Sequence, residues 1–401
     1  LKTNFAKVMG DVALNSISAV MPIAILQIVI LPAMGRYLGE NPYGLVLALV
    51  SLISLIALPL GNALNNTRLL KNIDYSENSL QGDFNIILLC SFMLNILLVA
   101  LGCLYYLHGG APLDTLLVVA IACLNLLREY FVVAFRLELN YKAILLNNTY
   151  LCVGYLVGLI LFLYFIPCWQ LIYLCGGALS LLYVINRQTL HREPLRLTDL
   201  FRDTLKMDAI LVFTSFLGTI ASYADKLVIL PLLGSAAVSV YFSASIFSKI
   251  ISITVTPISG VLLSYLPKIK CFSTKNLFML VLVTTVFGLI GTVVCIWMSG
   301  PVLRCLYPGW AERSMELVPM LTLSGVFLAI SSIVNPFVLR FCKISLQILI
   351  SAVDAILYLV CAYMFYSYLG LVGFCYGVLV SSILRVVIKC VIYWRKASRS
   401  V

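Results

Sequence analysis

Seven charged residues lie inside long apolar runs, where charge is least expected: Arg128, Glu129, Asp225, Lys226, Lys249, Asp354 and Arg385. A charge at mid-bilayer is costly and is kept where it faces a partner or a polar passage, so each is a functional candidate. The four cations, Lys249, Arg128, Arg385 and Lys226, carry the donors that suit an anionic group, and guanidinium matches phosphate oxygens in bidentate fashion. The three acids, Asp354, Asp225 and Glu129, could carry a proton or a sodium ion, or act as counter-charges. Structural readings stand beside these. Asp354 and Arg385 are equidistant from a turn near Leu369–Gly370, so antiparallel helices would bring them to matching depth as an ion pair. Arg128 could extend its head to the interface. Asp225 and Lys226 are neighbours pointing about 100° apart on a helix, which predicts that they do not pair with each other.

The elements holding these residues follow from composition. The 401 residues are 62% hydrophobic and 11% charged, with a mean hydropathy of +1.06. A soluble domain carries about twice that share of charge, so lipid must solvate most of this surface. Apolar runs long enough to span, about 20 residues each, fall at 10–34, 43–65, 84–107, 113–135, 143–165 and 169–187. After a polar stretch they resume at 209–231, 238–265, 276–299, 316–339, 346–367 and 371–394. The expected fold is therefore all-α and integral to the membrane, with about twelve transmembrane helices. The first run has no small-residue cleavage site after it and reads as a span.

The net charge of +11 does not point to nucleic acid, because the basic residues sit in short connectors. With both termini cytoplasmic, only Arg36, Arg304 and Arg313 fall outside. The others, Lys389 at the end of the last span included, gather inside apart from the four embedded cations, and this bias sets orientation. Tyr105, Tyr106, Trp169, Trp297, Trp310 and Trp394 lie at span ends and read as interfacial anchors.

Enzyme chemistry finds little support. The two histidines, His108 and His191, fall on opposite aqueous sides, and no paired carboxylates, metal-ligand spacing or nucleophile constellation appears. No metal or cofactor is expected. Most cysteines lie in apolar runs and behave as small apolar residues, though Cys168 and Cys305 lie near outer loops and could pair.

The chain repeats itself. Val29-Ile30-Leu31-Pro32-Ala33-Met34-Gly35 and Val228-Ile229-Leu230-Pro231-Leu232-Leu233-Gly234 both read VILPxxG. Tyr43, Pro59 and Gly61 are echoed by Tyr241, Pro257 and Gly260, at a spacing of about 198 residues. An even number of spans per copy keeps both halves in one orientation, related by an axis along the membrane normal. The expected organisation is an N-terminal lobe (1–190), a cytoplasmic connector (191–208) and a C-terminal lobe (209–401), six helices each around a central cavity. Asn15, Gln27, Asn62, Asn147, Asn148 and Asn335 could wet that cavity.

Three phrases carry a family resemblance. Gly35-Arg36-Tyr37-Leu38-Gly39-Glu40-Asn41-Pro42-Tyr43-Gly44 resembles the loop after the first helix of polysaccharide-biosynthesis flippases. Tyr223 to Leu230 resembles their D-K/R-x-x-I phrase. Val240-Tyr241-Phe242-Ser243-Ala244 resembles G-x-Y-x-x-A, with Ser239 where the family usually has Gly, and Pro267 also fits. The resemblance is to lipid-linked oligosaccharide flippases, O-antigen type included, of the multidrug/oligosaccharidyl-lipid/polysaccharide (MOP) exporter superfamily. It implies movement of an undecaprenyl-diphosphate-linked oligosaccharide from the cytoplasmic to the outer leaflet of a bacterial inner membrane. Lys249, Arg128, Arg385 and Lys226 would then meet the diphosphate. Membrane lipids, a glycan polymerase and chain-length machinery are the implied partners; the acidic residues leave open both coupling to H+ or Na+ and passive flipping pulled by consumption outside. A cation-coupled multidrug exporter of the same superfamily is the alternative, and a membrane glycan polymerase a more distant one.

Overall fold

A backbone in hydrocarbon must satisfy its own hydrogen bonds, so each apolar run is expected to be helical. The computed structural model describes residues 5–78, 80–265, 274–341 and 344–397, with backbone alone for 5–13, 221, 252–265, 274–277, 336, 338–341, 344–348 and 393–397. Pro267 lies outside the described residues, as do the side chains of Pro257 and Trp394.

All twelve expected spans coincide with helical backbone. The first comprises α1 (Phe5–Ile25), a π-helical turn (Leu26–Ile30) and α2 (Leu31–Leu38). The next five are α3 (Glu40–Glu77), α4 (Asp83–Tyr106), α5 (Pro112–Phe131) with the short α6 (Val133–Leu137), α7 (Tyr141–Tyr164) and α8 (Gln170–Arg187). A short 3-10 turn (Leu190–Arg192) precedes α9 (Phe201–Leu233), α10 (Ser235–Tyr265), α11 (Thr274–Leu306), α12 (Ala311–Phe341) and α13 (Ile344–Ala397). Non-helical Gly370 divides α13 into two arms, the last two spans. Among the described residues, eight helices are long and apolar enough to cross a membrane, nine if the two bent parts of α9 count as one span.

Proline shapes the first span. Pro32 lacks an N–H and its ring crowds the carbonyl of Ile28; the wider π turn over Leu26–Ile30 absorbs both defects. The VILPxxG echo is not a structural copy. Gly234 ends α9 at φ 83°, whereas Gly35 stays inside α2 and the chain turns at Gly39, φ 78°.

The chain forms two compact units. Unit 1 contains Leu1–Tyr37 and Val46–Leu227; unit 2 contains Leu38–Leu45 and Val228–Val401. In unit 1, Gly154 and Gly158 let α7 close on α8: a Cβ on either would lie 2.5 Å from the backbone at Cys175 or Ile172. In unit 2, Gly373 and Gly377 do the same between the arms of α13, against the carbonyls of Phe365 and Cys361. Both are small-residue pairs four apart, a packing device of membrane helices. Large apolar side chains such as Phe278, Phe287, Val293 and Trp297 of α11 are exposed, as a lipid-facing surface requires.

The start of α3 is built into unit 2. Tyr43 is fully buried, with its ring against Phe242, Tyr307 and Trp310 and its hydroxyl 3.2 Å from that of Tyr307. Trp310 is therefore a core residue here and not an interfacial anchor; its Nε1 donates to Ser243 Oγ at 3.2 Å. Ser239 donates to the Glu40 carbonyl at 2.6 Å. A Cβ at Gly44 would stand 1.8 Å from the Ser235 carbonyl oxygen. Gly44→Ala should therefore lose about 1–3 kcal/mol through forced separation of α3 and α10, read as a lowered thermal midpoint in detergent. An unchanged midpoint would show that this contact does not hold the start of α3.

Candidate functional site

Burying a charge costs several kcal/mol unless a partner and hydrogen bonds compensate it. The embedded residues show how each is compensated. On α5, the Arg128 guanidinium pairs with the adjacent Glu129 carboxylate, both partly buried. Gly61 of α3 makes room for this site, since a Cβ there would lie 2.7 Å from Glu129 Cβ. Asn65 donates to the Glu129 carbonyl at 2.8 Å. Arg128 Nε is buried and has no hydrogen-bond partner.

On α9, Lys226 Nζ lies 2.8 Å from Asp225 Oδ1, with both residues buried. This corrects the expectation that the two diverge. Asp225 folds back onto the Lys226 backbone N–H, also at 2.8 Å, and the flexible lysine stem closes the remaining angle. The 100° rule describes where side chains leave the helix. It does not limit where a long one ends once solvent no longer competes for its charge.

In unit 2, Lys249 of α10 is half-buried, its Nζ 4.6 Å from the centroid of the Phe242 ring. These residues are seven apart, so they share a helix face, and an ammonium over an aromatic face is favourable. Asp354 and Arg385 meet across the arms of α13, as their equal distance from the turn predicts: Arg385 Nε lies 3.3 Å from Asp354 Oδ2. The same oxygen lies 3.7 Å from Lys389 Nζ, which also donates to Ser331 Oγ of α12 at 2.9 Å. Lys389 is only 7% exposed. Counting it among the inner connector charges missed this, although its position four residues after Arg385 puts both on one face.

The asparagines divide. Asn147 accepts from Ser180 Oγ at 2.7 Å, and Asn148 donates to the Ser18 carbonyl and hydroxyl. Both link helices within unit 1. Asn15 and Asn62 are exposed, and Gln27 and Asn335 half-buried. Cys168 and Cys305 form no disulfide, contrary to the pairing considered for them; Cys168 Sγ instead lies 3.1 Å from Gln170 Oε1.

A polar cluster that sequence reasoning did not identify fixes the connector to unit 1. Arg68 of α3 forms a bidentate pair with Glu193 and donates to the Tyr130 hydroxyl at 2.9 Å. Asn85 Nδ2 donates to the carbonyls of Glu193 (2.8 Å) and Leu190 (3.2 Å). Asp83, fully buried, accepts from Thr198 N (2.8 Å), Thr198 Oγ1 (2.5 Å) and the Tyr75 hydroxyl (2.6 Å). Thr67 Oγ1 donates to Asp208 of α9 at 3.1 Å.

No family model and no curated protein matches the sequence. Solved structures do share its fold. A multidrug resistance MATE family transporter of the MOP superfamily, inward-facing, aligns with TM-score 0.67 and 13% identity over 96% of this chain and 98% of that one. The lipid II flippase MurJ, inward closed, aligns with TM-score 0.75 and 16% identity over 96% of this chain and 87% of that one. The Vibrio cholerae MATE transporter VcmN in its bent form aligns with TM-score 0.64 and 16% identity over 98% and 97%. The chain has the fold of MOP-superfamily transporters, and it is a multi-pass membrane protein. The neighbours are transporters and a flippase, not enzymes.

The triad on α13 yields a direct check. Asp354→Asn leaves Arg385 and Lys389 side by side with no carboxylate between them, which should lower stability by about 3–5 kcal/mol. Adding Lys389→Met should restore part of the lost thermal midpoint. A midpoint unmoved by Asp354→Asn would mean that water, not Asp354, neutralises these cations.

Proposed function

We propose that the chain is a flippase moving an undecaprenyl-diphosphate-linked oligosaccharide from the cytoplasmic to the outer leaflet of a bacterial inner membrane by alternating access, its termini cytoplasmic. The observation that carries this reading is one buried carboxylate shared by two cations in unit 2. One carboxylate, Asp354, is shared by Arg385 and Lys389, and Lys249 lies further along over an aromatic ring. An excess of buried cation favours an anionic guest, because a diphosphate entering such a site recovers in ion pairing what it loses in hydration. We assign the diphosphate contacts to Lys249, Arg385 and Lys389. Arg128 and Lys226 already hold adjacent carboxylates and act in this reading as counter-charged, helix-stabilising residues.

The competing reading, a cation-coupled drug exporter, is supported by the fold likeness to MATE multidrug transporters. It calls for a carboxylate available to a cationic guest or coupling ion. Glu129, Asp225 and Asp354 each face a basic side chain already.

Proteoliposomes holding the native chain should flip a fluorescent polyprenyl-diphosphate oligosaccharide. Lys249→Ala and Arg385→Ala should each slow flipping at least tenfold, about 1.4 kcal/mol of lost interaction, with helical content unchanged. Flipping at the native rate in both variants would remove the site. A native chain that moves a cationic dye and not the lipid would establish the exporter.

A further inference from the structure

In unit 1 the start of α9 is tied to α3 at two points. The Thr204 hydroxyl meets that of Tyr75 at 2.9 Å, and Asp208 Oδ1 meets Thr67 Oγ1 at 3.1 Å. Neither contact includes a cation. We propose that Asp208 is a proton-binding site, and that taking up a proton tightens this clasp between α9 and α3.

The count of hydrogens decides between the two forms. Thr67 is fully buried and its hydroxyl has one hydrogen, yet two acceptors lie within its reach: Asp208 Oδ1 and the Ala63 carbonyl, at 2.9 Å. With Asp208 ionised, both oxygens compete for that hydrogen. With Asp208 protonated, its own O–H donates to Thr67 Oγ1 while Thr67 donates to Ala63, and both bonds are complete. Asp83 shows what a buried carboxylate needs: three donors answer it, where Asp208 has a share in one. The cations nearby on α3 are committed elsewhere. Arg68 holds Glu193 and the Tyr130 hydroxyl, and Lys71, one turn from Thr67, holds Asp74. The Tyr130 hydroxyl of α5 is close enough to feel the charge of Asp208 but makes no bond to it. On α9 itself, Arg202, Asp203 and Lys206 are exposed. Asp208 precedes the apolar run at 209–231, and burial pushes its carboxyl up to about 6, with the Thr67 bond opposing. It keeps 4% of its surface exposed, enough for a proton to reach it. The folded chain holds this proton more tightly than the unfolded one. The stability it adds is therefore present in acid and lost as pH rises through about 6. Arg68, next to Thr67, fastens the connector through Glu193, so the site registers pH on the connector's side of the membrane.

The test compares thermal midpoints of the full chain in detergent with those of Asp208→Asn, whose amide keeps the donor of the protonated acid at every pH. At about pH 8 the variant should melt above the native chain by about 2 °C or more, and at about pH 5 the two should coincide. A variant that melts lower at both values shows that Asp208 serves as a carboxylate accepting from Thr67, and the proposal falls. An offset that is the same at both values, zero included, overturns it as well. Infrared titration of the native chain needs no variant. A carboxyl C=O band should grow as pH falls through about 6, and carboxyl protonation confined to the ordinary range near about 4 overturns the site.

Discussion

A charge taken into a low-dielectric interior is costly by itself and nearly neutral when well paired. That asymmetry organises the interior of this protein. The helices satisfy the backbone, but the embedded side chains decide which helices must be neighbours. Asp354 cannot be accommodated unless the second arm of α13 folds back to bring Arg385 and Lys389 to it. Lys389 in turn draws in Ser331 of α12. Three spans of unit 2 are thus held by one carboxylate and the two cations it serves. The apolar cluster of Val326, Ile330, Val334, Phe337, Ile350 and Val386 packs the same three elements. In unit 1 the solution is local: Arg128–Glu129 and Lys226–Asp225 are sequence neighbours that neutralise each other in place. Such pairs constrain no second helix, so they stabilise without specifying topology.

The connector shows the same chemistry used for attachment. Asp83 accepts three hydrogen bonds from donors on two other segments, and its charge is spread over them. With Arg68–Glu193 and Thr67–Asp208, this makes the polar stretch between the halves part of unit 1. A segment that reads as a solvated linker is, through these contacts, a wall.

Most of the fold was legible because hydrophobic runs of spanning length are a one-dimensional signal. All twelve fell on helices, and the equal distance of Asp354 and Arg385 from Gly370 carried enough geometry to pair them. The remainder required contacts between distant parts of the chain. Trp310 looked like an interfacial anchor because nothing local announces that Tyr43, far upstream, packs against it. Asp225 and Lys226 were set apart by a rule suited to side chains in water. Lys389 was assigned by its nearness to a span end, although burial depends on which face it shares with Arg385. The connector's hydrogen bonds join residues more than a hundred positions apart and follow no period that could be read in advance.

The segment after the first span can now be given a physical reason. The chain passes between the two units at three places: after Tyr37, after Leu45 and after Leu227. The last two lie inside α3 and α9. The first lies beside Gly39, which is non-helical at φ 78° with no neighbour close to its missing side chain. A residue with a Cβ would be strained in that conformation. Tyr43 and Gly44 then fix the far side of the turn by burial and close approach. That segment therefore encodes a turn and its anchor in six residues.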